Sequence, residues 1–285
     1  MADLPATSIR EILNQAGQSL RQHSETPILD VQVLLAQYLA QPGAWVMAYP
    51  EFLVDSQRYE QIHQALMRLE RGEPLPYVLG HWEFFNLDFY LTPDVLIPRP
   101  ETELLVEQAI GWLKDHPQAR RAIDVGTGSG CIGIALAMNV PYLYMLLTDI
   151  SPLAQKVAAQ NAERHGLSAR LGFQQADTLD GIEGVFDLIT ANLPYIPSQE
   201  LRQLPVFEKE PSLALDGGER GIELIDRLLN QSRSHLAPGG LLLLEIEASQ
   251  GAEVCSHAQM LYPGSAVEVL KDLSGRDRCI KIQRV

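Results

Sequence analysis

RAIDVGTGSGC, Arg121 to Cys131, begins as a short apolar strand and ends in three alternating glycines, Gly126, Gly128 and Gly130. Glycine permits left-handed backbone and close ligand approach, and a helix opening just beyond such a loop aims free N–H groups at whatever sits there. A dinucleotide fingerprint, GxGxxG, would need glycine where Cys131 stands. The spacing therefore suits a nucleoside without a pyrophosphate, although on its own the loop is equally a tight structural turn.

Outward from this stretch, short apolar strands alternate with helical segments. After RAIDVG come a helix from about Gly130, the strand YLYMLLTD, a helix from Pro152, and the strands RLGFQQAD and FDLITAN. A helix from Ile222, the strand LLLLEIE, a helix from Ser249 and two closely spaced strands, Ala266 to Lys271 and Cys279 to Arg284, complete the pattern. Such alternation predicts an α/β fold, a parallel sheet with helices on both faces and an antiparallel pair at one edge.

Upstream, the rhythm is helical. Ser8 and Glu11 form a capping-box pattern before Ile9, Ile12, Leu13, Ala16 and Leu20, and Thr26-Pro27 opens a second helix ended by Pro42 and Gly43. A third is expected from about Asp55 to Arg71, and aromatic and β-branched residues from Tyr77 to Ile97 suggest a hairpin turning at Asn86. Residues 1–75 are thus expected to form a small helical domain, 76–97 a hairpin linker, and 98–285 the α/β domain.

Composition narrows the function. The 285 residues are 46% hydrophobic and 20% charged, with a net charge of −14, and residues 1–90 carry eleven acids against five arginines and no lysine. That surface repels phosphate backbones, so no direct nucleic-acid contact is expected. Cys131, Cys255 and Cys279 stand far apart without CxxC or HExxH spacing, so neither a disulfide framework nor a metal site is expected. The N-terminal MADLPATSIREIL lacks a signal-peptide pattern and no apolar run is long enough to span a bilayer, which points to a cytoplasmic protein.

Ligands of an open parallel sheet bind beyond the carboxyl ends of its strands. Asp149, about twenty residues past the glycines, is placed to accept from two ribose hydroxyls, or else caps the helix that follows; Asp177 closes the third strand, where a carboxylate can accept from an adenine amine. The fourth strand ends in Asn192, Leu193, Pro194 and Tyr195. An amide or arylamine nitrogen is a poor nucleophile because its lone pair is delocalised. Two acceptors, the Asn192 side-chain oxygen and the Leu193 carbonyl, would favour a more tetrahedral, electron-rich nitrogen and bind more strongly as positive charge develops there. Tyr195 would stack on the planar substrate group and Pro194 would stiffen the loop.

Together DVGTGSG and NLPY resemble the HemK/PrmC family of protein-glutamine methyltransferases, as do EPLPYVLGHWEFFNLDF (Glu73 to Phe89), VLIPRPETELLVE (Val95 to Glu107) and EPSLALDGGERGIEL (Glu210 to Leu224). The resemblance implies a class I, Rossmann-like methyltransferase domain with a mostly parallel seven-stranded sheet. It further implies S-adenosylmethionine as methyl donor and, as protein substrate, the glutamine of the GGQ motif in class I peptide chain release factors, bound by a monomer through its N-terminal domain. Gly126, Thr127, Gly128, Ser129, Gly130, Asp149, Asp177, Thr178 and Asn192 would border the cofactor. Arg99 and Glu101 would lie near its entrance, or else form a surface ion pair at a helix start. The family tetrad is usually NPPY, and Leu193 keeps the main-chain acceptor while losing proline's rigidity. A DNA adenine N6-methyltransferase uses a similar tetrad, but predicts a basic groove and a target-recognition domain that this acidic chain does not suggest.

Overall fold

The computed structural model describes residues 7–285; the opening MADLPA, with the start of the expected helical domain, lies outside them. The chain divides into two compact units between His81 and Trp82.

The first unit is helical. Helix α1 (Ile9–Ser19) starts at the expected capping box, where the Glu11 carboxylate accepts from Ser8 N at 2.8 Å. Helices α2 (Pro27–Leu39) and α4 (Ser56–Glu70) follow as the periodicity predicts, with Asp55 capping the latter. Thr26 does not cap α2: its hydroxyl donates to Asp30 instead, at 3.2 Å. Two short helices depart from the expectation, α3 (Gly43–Ala48) where only a helix end was expected and α5 (Leu75–Leu79) where the hairpin was to begin. In each case a proline stands at the helix start with its φ already helical. A ribbon of β1 (Thr7–Ser8) on β2 (Leu53–Val54) and a core including Ile9, Leu34, Leu35, Val46 and Ile62 complete the unit.

A hairpin, β3 (His81–Phe84) and β4 (Leu87–Tyr90), turns at Phe85-Asn86, both at positive φ, the conformation a two-residue hairpin loop requires. Helix α6 (Glu103–Asp115) then leads into the α/β unit: β5 (Arg121–Val125), α7 (Cys131–Asn139), β6 (Tyr144–Asp149), α8 (Pro152–Arg164), β7 (Leu171–Gln175) and β8 (Phe186–Ala191). Next come a single turn α9 (Ser198–Leu201), α10 (Glu223–His235), β9 (Leu236–Glu245), α11 (Gly251–Leu261), β10 (Ala266–Lys271) and β11 (Asp277–Gln283).

The seven strands lie in the order β10-β11-β9-β8-β5-β6-β7, and only β11 runs against the others. Strands β5, β8 and β9 are apolar almost throughout because helices cover both faces, and helix α7 is buried on all sides from Cys131 to Ala137. The chain winds outward from β5 to β7, then returns to β8 on the opposite side of β5. That reversal splays the connections apart and leaves a crevice at the carboxyl ends of β5 and β8.

Candidate active site

Val125 of β5 pairs with Ala191 of β8, so the glycine loop and the Asn192 tetrad leave the sheet side by side. A cavity of about 380 Å³ opens there, within the range of small-molecule sites. Arg99, Gly126, Thr127, Gly128, Ser129, Asp149, Asp177, Thr178, Asn192, Leu193 and Pro194 line it; Glu101, Gly130 and Tyr195 do not.

The loop's shape comes from one buried acid that the sequence reading did not assign. Asp124, 1% exposed, accepts from Thr127 Oγ1 at 2.6 Å and Thr190 Oγ1 at 2.8 Å. Burial pushes its carboxyl up to about 6, against the pull of those two hydroxyls. Gly126, Gly128 and Gly130 all hold positive φ. A Cβ on Gly126 would fall 2.8 Å from Leu193 Cδ2, whereas one on Gly128 would meet nothing within 4 Å. The open space above Gly128 is what an adenosyl group pressed against the backbone needs. Asn161, fully buried on α8, donates to Ser129 O at 2.9 Å and Tyr90 O at 3.0 Å, tying the loop to the hairpin.

Asp149 ends β6 with Oδ2 accepting from Gly128 N and Oδ1 from Ser151 N, both at 2.9 Å. Capping of α8 falls to Ser151, whose hydroxyl accepts from Ala154 N at 3.2 Å, so Asp149 is not needed for that. Burial raises its carboxyl above the usual range, and the backbone donors counter this. Each carboxylate oxygen keeps acceptor capacity for a diol. Asp177 lies two residues past β7, paired with Arg227 of α10 at 2.9 Å; Thr178 beside it is buried at φ 56. These donors and acceptors fit an adenosyl cofactor.

Asn192 Nδ2 donates to Thr102 Oγ1 at 3.1 Å. Among the described residues, neither Asn192 Oδ1 nor the Leu193 carbonyl accepts a hydrogen bond, and both residues line the cavity. The tetrad is held from behind. Tyr195 O accepts from Gln250 Nε2 at 2.9 Å, and the Tyr195 hydroxyl donates to Glu245 Oε1 at 3.3 Å. Burial and the neighbouring Glu245 both push the Tyr195 phenol up. The DGGERG segment closes on the same backbone, since a Cβ on Gly217 would lie 2.7 Å from Tyr195 Cα and one on Gly221 2.4 Å from Tyr195 O. Gly217→Ala must therefore displace the tetrad. Its expected effect is a fall in kcat of about a hundredfold with cofactor affinity nearly unchanged, checked by steady-state kinetics and calorimetric titration.

Arg99 forms an ion pair with Glu210, which is 8% exposed and also accepts from Ile97 N at 3.1 Å. This pair joins the PRPE turn to the EPSLAL segment. Glu101 is exposed. Thr102, Glu210, Gly217, Gly221, Glu245 and Gln250 were not singled out from the sequence. The available signals were an acid ending the all-apolar run LLLLE and the two motif stretches around PRPETE and DGGERG.

Fold and site define a class I methyltransferase, an enzyme that takes its methyl group from S-adenosylmethionine. Residues 11–80 match the PrmC N-terminal domain family and residues 101–206 the methyltransferase small domain family. The chain is 39% identical to the release factor glutamine methyltransferase of Moorella thermoacetica, over 97% of this chain and 99% of that one. It is 38% identical to that of Koribacter versatilis, over 94% and 97%. A methyltransferase structure from Pyrococcus furiosus shares the fold at 19% identity, with a TM-score of 0.51 over 80% of this chain and 98% of that one. The chain belongs to the release factor glutamine methyltransferase family. No helix among the described residues is long and apolar enough to cross a membrane.

Proposed function

We propose that this protein methylates the side-chain amide nitrogen of the glutamine in the GGQ motif of class I peptide chain release factors, acting as a cytoplasmic monomer. The observation that carries the reading is the pair of uncommitted acceptors, Asn192 Oδ1 and Leu193 O, in the cavity that also holds Gly128 and Asp149. A primary carboxamide has two N–H groups, and the two oxygens offer one acceptor to each.

In the reaction the amide nitrogen forms a bond to the methyl carbon as the carbon–sulfur bond breaks, and an N–H proton afterwards passes to solvent. S-adenosylmethionine, when bound, supplies an electrophilic methyl group with a neutral thioether as leaving group. Asn192 and Leu193 hold the nitrogen in line and stabilise the positive charge that develops on it. No strong general base is needed, because methylation acidifies the remaining N–H. Asp149 binds the ribose diol, Asp177 and Thr178 border the adenine, and the helical unit recognises the protein partner.

Purified release factor incubated with the protein and methyl-labelled cofactor should acquire one methyl group on that glutamine, located by mass spectrometry of its peptides. A release factor carrying alanine there should stay unlabelled. Label on another residue would overturn the reading.

A further inference from the structure

Helix α10 grips the turn that follows β7. Arg227 and Gln231 stand one helical turn apart on the same face of the helix, and both reach that turn with their side chains. Arg227 donates from Nη1 to Asp177 Oδ2 at 2.9 Å and from Nη2 to Asp180 Oδ2. Gln231 donates from Nε2 to Asp180 Oδ1 and accepts from Leu179 N at 3.1 Å. Between them the two side chains hold Asp177, Leu179 and Asp180.

The turn needs holding. Thr178, at φ 56, is a β-branched residue in the left-handed region, a conformation that persists only where its surroundings impose it. Inside the turn the Asp177 carbonyl accepts from Thr178 Oγ1 at 2.5 Å and from Asp180 N at 3.1 Å. A lone, half-exposed ion pair would fix the Asp177 side chain only weakly. Here the guanidinium spans two carboxylates and Gln231 holds the second, so less side-chain freedom is left to lose in each pairing.

What results is an oriented acceptor in the cavity. Asp177 lines it together with Ile150, Ala176 and Thr178, while Arg227 does not, so a ligand there meets the carboxylate rather than the guanidinium. Arg227 occupies Oδ2, and among the described residues Oδ1 accepts no hydrogen bond. Hydrogen bonds are directional. A carboxylate free to rotate would accept from water as readily as from a ligand and would add little to affinity, whereas one ordered during folding carries no such cost on binding.

We propose that Arg227 is a positioning residue that holds Asp177 ready for the exocyclic amine of the adenine, so that α10 sets the preference of the cofactor site for an amino purine. This rests on the reading of Asp177 as the adenine acceptor. The guanidinium acts through Asp177 and does not touch the cofactor itself.

The test measures binding by calorimetry, with S-adenosylhomocysteine and with its analogue bearing hydrogen in place of the 6-amino group. Wild type should bind the analogue about tenfold or more weakly, the size of one hydrogen bond to a charged acceptor. Arg227→Ala should bind S-adenosylhomocysteine about fivefold more weakly yet bind the analogue as wild type does, so that the preference for the amine shrinks to about twofold. Arg227→Gln, which can still donate one bond to Asp177, should fall between, and it keeps the comparison decisive if alanine unfolds the turn. A merely structural loss would weaken both ligands alike and leave their ratio intact. That outcome, with the preference lost in Asp177→Ala but kept in both Arg227 variants, would overturn the proposal. Preference for the amine surviving in Asp177→Ala would instead sink the adenine reading beneath it.

Discussion

Asn192→Ala should lower methyl transfer about a hundredfold or more while leaving the fold and cofactor affinity nearly unchanged. The size follows from what the proposed role asks of the side chain at each stage. Before reaction the substrate amide is neutral and one N–H···O bond to Asn192 Oδ1 stabilises it modestly. In the transition state the nitrogen carries positive charge, and a preorganised acceptor in a site with little water is worth several times more. Alanine removes that difference, so kcat falls with kcat/KM. The fold should tolerate the change because, among the described residues, the Asn192 side chain bonds only to Thr102, at 3.1 Å. Single-turnover kinetics at saturating cofactor measure the chemical step directly, and near-normal turnover would remove Asn192 from the mechanism.

The second large effect is expected on binding. Asp149→Ala should weaken S-adenosylmethionine about a hundredfold, through loss of two hydrogen bonds to a charged acceptor. It also frees Gly128 N and Ser151 N, each now bonded to that carboxylate at 2.9 Å, and so loosens the glycine loop. At saturating cofactor kcat should stay within a few-fold of wild type, because Asn192 and Leu193 stand on another strand end. Calorimetric titration separates the two effects, and unchanged affinity would move the ribose contact elsewhere.

The sheet was legible because its strands are buried on both faces, so LLLLE at Leu241 to Glu245 and FDLITA at Phe186 to Ala191 stand out as apolar runs. The placement of Gly126 to Gly130 and Asn192 to Tyr195 at neighbouring strand ends was legible because each loop is a run of consecutive residues directly after an apolar strand. Helices α3 and α5, of six and five residues, were missed because neither spans two turns and so shows no periodicity. The supporting shell was missed for a different reason. Thr102 meets Asn192 across ninety residues of sequence, Arg99 meets Glu210 across 111, and Tyr195 meets Glu245 across fifty. No local pattern encodes such pairs; only the sheet order, which sets β8 between β5 and β9, brings them together.

Leu193 shows how a local departure can be absorbed. Its carbonyl remains free to accept, while its side chain is 5% exposed and packs against the position where Gly126 would carry a Cβ. Packing against the glycine loop thus replaces some of the rigidity that proline would supply.

The most direct test of the account is a crystal structure of the protein with S-adenosylhomocysteine and a release-factor domain bearing the GGQ loop. It should find the glutamine amide nitrogen within hydrogen-bond distance of both Asn192 Oδ1 and Leu193 O, facing the cofactor sulfur. An amide bound elsewhere in the cavity, or an Asn192 side chain offering its NH2 to the substrate, would contradict it.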